Sequence, residues 1–267
     1  MTDMKQEILS ALGSHPWAET LQYHDCVGST NDLAKKLADD GAAHGTVIIA
    51  GRQTCGRGRM GRSFQSPGGM GIYLSVILRT NCTADQLMHL TCAAGVAMCN
   101  AVEKATKYRP GIKWINDLVA NDRKLGGILT ELSLEHGGSV RYAVVGIGIN
   151  CHQKPEDFPI ELEKIATSLA IATGKPIPRS ALAAAMISEL ADMSTSLLTK
   201  KAAVMEQYRR DCVTLHRDVA VIQAGKTVPA TAVGLDDAGA LLVRYADGTT
   251  GKVTSGEVSV RGLFGYC

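Results

Sequence analysis

The sequence predicts an α+β protein that ends in a small all-β unit. Three observations carry that expectation. Up to about Cys212, apolar β-branched runs and helical patterns follow one another irregularly, with hairpins between strands instead of regular strand–helix–strand units. One long segment repeats apolar residues at spacings of three and four. After Cys212 the chain becomes short strands separated by turn signals.

In order, "VGSTNDLAKKLADDGA" predicts a helix that Ser29 or Thr30 can cap, with Leu33 and Leu37 on one face and Gly41 as its stop. "GTVIIAG" and "IYLSVIL" read as strands. Residues 84–108 place Leu87, Leu90, Ala94, Met98, Ala101 and Ala105 on one face of a long buried helix. "IKWINDLVANDRKLGGILTELS" reads as a hairpin turning at Asn121-Asp122, and "VRYAVVGIGIN" as a further strand. "EKIATSLAIATG" and "RSALAAAMISELADMSTSLLTK" are helical, separated at Pro176 and Pro178. The last segment turns at Ala224-Gly225, Asp236-Gly239, Asp247-Gly248 and Ser255-Gly256, a spacing that suits a barrel or sandwich.

The chain has 267 residues. At ~150 residues per domain, that suits one large unit, expected over 1–212, and one small unit over 213–267. Hydrophobic residues at 45% and charged residues at 20% fit an ordinary packed core. A net charge of +2 excludes a generally basic nucleic-acid binder, so an anion site must be a local cluster. The eight cysteines form no CxxC pair and no zinc-type spacing. Neither a signal-type apolar run nor the ~18 apolar residues of a membrane span occurs. A reduced, cytoplasmic protein without a membrane segment is expected.

The local cluster is "GRQTCGRGRMGRSFQSPGG". It places four arginines in the eleven residues Arg52–Arg62, with no acidic residue between Gly41 and Ala84. Arginine offers a rigid fork of donors suited to carboxylate and phosphate, and glycine lets backbone fold closely over a ligand. Gly56–Gly61 matches G-x-G-x-x-G, but a strand follows where a dinucleotide site needs a helix. "AGKT" at Ala224 lacks the earlier glycine of a phosphate loop.

"KWIND", Lys113–Asp117, is the second cluster. Read as a strand, it puts Lys113, Ile115 and Asp117 on one face and Trp114 and Asn116 on the other. Lys113 or Lys124 can meet a phosphate or a carboxylate, Asp117 a magnesium ion or a ribose, and Asn116 a polar edge. Trp114 suits core or site equally. The glycines of "VVGIGIN" mark either a bend or a pocket wall ending at Asn150.

Taken together, "GSTND", the arginine loop, "KWINDLVANDRKLGGILTE", "GIGIN", "ATSL" and "SGEVSVR" occur in an order that resembles the bacterial biotin protein ligases, from about Tyr23 to Arg261. The resemblance implies a mixed-sheet catalytic domain of the class II aminoacyl-tRNA synthetase-like biotin ligase fold, followed by an SH3-like β-barrel. It implies formation of biotinyl-5′-AMP from biotin and ATP with Mg2+, then transfer to a lysine of a biotin carboxyl carrier protein. By the same resemblance Arg57, Arg59 and Lys124 carry the chemistry. Ser29, Thr30, Asn31, Gln53, Gly56, Arg57, Gly58, Arg59, Tyr73, Lys124, Gly127, Leu129 and Gly148 hold biotin. Arg59, Arg62, Phe64, Lys113, Asn116, Asp117 and Asn150 hold the nucleotide, and Asp117 the metal.

Three residues depart from the usual pattern: Ile115 stands for proline, Met60 for a basic residue, and Phe64, which can still stack on adenine, for the frequent tryptophan. Some relatives carry a DNA-reading domain ahead of the ligase. Residues 1–28 are short and acidic, so a short form with no specific DNA binding is expected. The oligomeric state, a homodimer included, is left open. A lipoate or related acyl-protein ligase, or a biotin sensor without catalysis, are the competing readings.

Overall fold

The structure is a computed structural model that describes residues 3–223, 226–254, 258–262 and 266–267. Its larger sheet has seven strands: β1 (Leu21–His24), β2 (Thr46–Ala50), β3 (Gly71–Leu78), β4 (Gly111–Lys113), β5 (Asp117–Ala120), β6 (Arg123–Leu134) and β7 (Val140–Asn150). Their spatial order is β1-β2-β3-β7-β6-β5-β4. β1 lies parallel to β2 and every other pair is antiparallel, so the sheet is mixed.

Alternation along the strands creates two different faces. Val47, Ile49, Ile72, Leu74, Val76, Val145, Ile147 and Ile149 enter the main core with α3 (Leu90–Thr106), α6 (Arg179–Ser196) and α7 (Lys201–Asp211). The other face is covered at one end by α2 (Thr30–Asp39), where Ala34 and Ala38 meet Ile48, Ile77 and Val144. α2 stops short of covering β6 and β7 fully, and the uncovered remainder is the site. α1 (Met4–Leu12) buries Ile8 and packs on α6.

A second, antiparallel sheet contains β8 (Asp218–Gln223), β9 (Lys226–Leu235), β10 (Leu241–Tyr245), β11 (Thr250–Val253) and β12 (Val258–Gly262), in the order β11-β10-β9-β8-β12. The expected turns at Asp236–Gly239 and Asp247–Gly248 are present. Those at Ala224-Gly225 and Ser255-Gly256 lie outside the described residues. No helix among the described residues is long and apolar enough to cross a membrane.

Three local expectations are corrected. "KWIND" is not a continuous strand: β4 ends at Lys113, residues 114–116 turn, and β5 starts at Asp117, the register partner of Lys113. The Trp114–Ile115 peptide is cis. Tertiary partners hold this turn: Thr214 Oγ1 accepts from Trp114 N at 2.9 Å, and Tyr208 Oη donates to Ile115 O at 3.0 Å. "EKIATSLAIATG" is not one helix either. α4 (Ile160–Glu163) and α5 (Leu169–Thr173) are separated because Ala166 bridges Lys124 and Ser168 caps α5. The long helix begins at Leu90, with a single separate turn at Asp85–Leu87. α7 had no counterpart in the sequence reading.

Candidate active site

The exposed part of the second face is a cavity of about 660 Å³. Its floor follows from strand alternation. Gly146, Gly148 and Asn150 point toward it from β7, while the intervening isoleucines point into the core. On β6, Gly127 and Leu129 pair with Gly148 and Gly146. The glycines of "GIGIN" are therefore there for close approach. A Cβ on Gly146 would fall 1.8 Å from Asn31 Oδ1, and one on Gly148 2.4 Å from the Phe64 ring.

One end of the cavity is neutral and polar. Ser29 caps α2, accepting from Asp32 N, so the buried Thr30 and Asn31 begin the helix directly over the sheet. Thr30 donates from N and Oγ1 to Gln53 Oε1 at 2.8 and 3.0 Å, and Gln53 Nε2 donates to Ser66 Oγ at 2.8 Å. Asn31 Nδ2 donates to Leu129 O at 3.2 Å and Glu131 Oε2 at 2.9 Å. The buried Ser75 Oγ lies 2.8 Å from Thr30 Oγ1 and 2.7 Å from Asn31 Oδ1. These side chains hold one another in place, which pre-organises hydroxyl and amide groups for a neutral polar ligand.

The arginine loop forms a short hairpin over this end. Gly58 N donates to Arg62 O at 2.7 Å and Phe64 N to Gly56 O at 2.8 Å. At its tip Met60 and Gly61 both have positive φ, 57° and 72°. Gly56 serves closeness instead, since a Cβ there would fall 2.2 Å from Phe64 O. Carboxylates absent from the loop's own sequence come from elsewhere. Arg57 Nη1 donates to Asp32 Oδ1 at 2.7 Å and Glu131 Oε2 at 3.1 Å. Burial tends to raise the Glu131 pKa, but hydrogen bonds from Asn31 and Lys35 and the charges of Lys35 and Arg57 outweigh it, and the carboxyl stays below its ordinary value.

The other end is cationic and apolar. Lys124 Nζ donates to Asp117 Oδ1 at 2.7 Å, and Arg59 Nη1 to Asn116 Oδ1 at 3.1 Å. Burial pulls the Arg59 guanidinium below its usual pKa, while Asp117 opposes that shift. Lys113, Arg62, Asn150 and Gln153 share this wall with Phe158, Leu162, Ile165 and Ala166. Asn150 Nδ2 donates to Thr167 O at 3.0 Å, and Gln153 Nε2 to Asn150 Oδ1 at 3.0 Å.

Residues 23–150 match the Biotin/lipoate A/B protein ligase family, and residues 214–261 the Biotin protein ligase C terminal domain. The Bifunctional ligase/repressor BirA of Bacillus subtilis is 35% identical over 260 residues, covering 96% of this chain and 78% of that protein. The Biotin--[acetyl-CoA-carboxylase] ligase of Mycobacterium tuberculosis is 33% identical over 238 residues, 86% of this chain and 85% of that one. The chain belongs to the biotin protein ligase family. The biotin protein ligase from Aquifex aeolicus, solved in complex with biotin and ATP, superposes with a TM-score of 0.76 at 28% identity, covering 91% of this chain and 98% of that chain.

Of the site residues that the family resemblance implied, all line the cavity except Gly56 and Tyr73. Tyr73 is fully buried behind it, donating to Pro67 O at 2.9 Å and meeting Phe64 edge-on. Phe64 thus sits over Gly148, between the two ends. Trp114 is both core and site, 5% exposed and on the cavity wall. The sequence reading missed Glu131, Gln153, Phe158 and Tyr266. One signal was available for Phe158: the chain has three phenylalanines, and two of them, Phe64 and Phe158, line this cavity.

Proposed function

We propose that this chain is an ATP-dependent biotin protein ligase. The observation that carries the reading is the division of the cavity: neutral donors and acceptors at one end, Arg59, Lys113 and Lys124 with an apolar slot at the other. A biotin head is neutral and polar and suits Ser29, Thr30, Asn31 and Gln53. A nucleotide base suits the wall of Phe158, Ile165 and Ala166, with Asn150 and Phe64 as further partners. Asn116, Asp117 and Arg62 belong to the phosphate side.

The first step brings a carboxylate against the α-phosphate, so two anions meet. A carboxylate oxygen of biotin bonds to the α-phosphorus and pyrophosphate leaves. Arg59 and Lys124 offset both charges and hold the groups in line; Arg57 holds the loop to α2 and β6 from the biotin end. The acyl-adenylate is labile in water, and the loop shields it. In the second step a carrier-protein lysine nitrogen bonds to the acyl carbon, AMP leaves, and the amine's proton passes to solvent.

The residues fit a magnesium ion that arrives with the nucleotide. Asp117 and Asp157 supply carboxylates on the wall, and such ions take one or two carboxylates with phosphate and water oxygens. When bound, the ion neutralises phosphate charge.

The division at Cys212 is part of the proposal, since α7 ends at Asp211 and β8 starts at Asp218. So is a cytoplasmic site of action, which would keep the eight free cysteines reduced. We also propose that residues 1–28 read no specific DNA, because α1 packs on α6. A salt-sensitive shift of biotin-operon DNA would refute that. The decisive test of activity is mass spectrometry of a biotin carrier domain after incubation with enzyme, biotin, ATP and magnesium. Biotin on one lysine supports the ligase; lipoate transfer in preference to biotin overturns it.

A further inference from the structure

Tyr266 lies beyond residue 261, where the match to the C-terminal ligase domain ends. Its side chain nonetheless lines the catalytic cavity. The phenol donates to Asp117 Oδ2 at 2.5 Å, while the other oxygen of Asp117 takes Lys124. Lys113 Nζ sits 3.7 Å from the centre of the Tyr266 ring, a close cation–π contact.

Both oxygens of Asp117 are therefore engaged and one face of Lys113 is covered. A phosphate approaching Lys113 from that face, or an ion approaching Asp117 Oδ2, needs the space the ring fills. We infer that Tyr266 is a built-in competitor for the nucleotide's phosphate groups, seated on Lys113 and Asp117 until the nucleotide displaces it. The inference rests on the nucleotide assignment proposed above. Apparent affinity is then the intrinsic affinity reduced by the fraction of molecules in which Tyr266 has left. A residue that only supported the wall would act in the opposite direction, because its loss would weaken nucleotide binding.

The test is calorimetric titration of ATP with magnesium into the full chain and its Tyr266→Phe and Tyr266→Ala variants, with biotin titrated in parallel. Loss of one hydrogen bond to a charged group is expected to tighten ATP roughly ten- to a hundredfold in Tyr266→Phe. Tyr266→Ala should tighten it at least as much, and biotin affinity should be unchanged. ATP binding that is unchanged or weaker in both variants overturns the inference. Biotin-dependent pyrophosphate release by the unmodified chain is measured alongside. Its absence would sink the ligase reading, while the titration would still decide the role of Tyr266.

Discussion

Lys124 and Asp117 form an ion pair across the Asn121–Asp122 hairpin, Nζ to Oδ1 at 2.7 Å. The hairpin brings them together by a register shift between Leu118 and Val119, and both turn residues have positive φ, 50° and 57°. The backbone of Lys124 is tied as well: its N donates to Ile165 O at 2.6 Å and its O accepts from Thr167 N at 2.8 Å. Lys124 thus stands on rigid backbone with its ammonium already oriented, the condition under which a cation stabilises developing charge without reorganising.

Lys124→Ala should accordingly lower biotin-dependent pyrophosphate release by about 10²–10³, the usual effect of removing one preorganised donor. Arg59→Ala should do the same or let the adenylate escape, seen as AMP and free biotin without carrier modification. Either variant running both steps at the unmodified rate would remove that residue from the mechanism.

Gly146→Ala tests the floor. The added methyl meets Asn31, which cannot yield easily because Glu131, Leu129 and Ser75 hold it. Overpacking of this kind costs about 1–3 kcal/mol. The melting temperature should fall by roughly 2–4 °C per kcal/mol in a chain of this size, and biotin affinity should drop with it. Gly148→Ala meets the half-buried Phe64 ring, which can swing away, so it should lose biotin affinity with little loss of stability. Equal melting losses in the two variants would contradict this assignment.

The contrast explains what the sequence made legible. Outside Lys113–Asp117, strand alternation, the Asn121-Asp122 turn and the strand-rich character of the C-terminal segment are local, and each appears where the sequence placed it. The glycines of "GIGIN" could be read as a bend or a wall until Asn31 and Phe64 were seen packed on them. The partners of Arg57 were hidden for a similar reason: Asp32 and Glu131 lie on α2 and β6, far along the chain. The "KWIND" turn defied alternation because Tyr208, Thr214 and Gly239 fix it from outside. Tyr266 gave no local signal at all; its meaning comes only from the cavity it enters.

Glu131→Gln tests the tether on the arginine loop. The Glu131 carboxyl lies below its ordinary pKa in the folded chain, so its stabilisation is fully present above the unfolded value. It is lost as pH falls through the folded value. The gap in stability between the unmodified chain and Glu131→Gln should thus be full at pH 7. Hydrogen bonds to charged groups suggest about 1.5–3 kcal/mol. The gap should begin to close below pH 4.5, the unperturbed value. Denaturant melts at several pH values read it directly, and a gap that widens on acidification would refute the tether.

Trp114→Phe probes the link between the two sheets. Trp114 Nε1 donates to Gly239 O at 2.8 Å, at the turn joining β9 to β10, and the indole is buried beside Lys113. Phenylalanine keeps most of the packing but leaves the Gly239 carbonyl without its donor, a loss of about 1–3 kcal/mol. Because Trp114 sits in the turn between Lys113 and Asp117, loosening it should disturb the phosphate side before the biotin side. The KM for ATP should rise severalfold while the Kd for biotin holds. Parallel titrations separate the cases: equal losses for both ligands would mean general destabilisation, and an unchanged KM for ATP would uncouple the small sheet from the site.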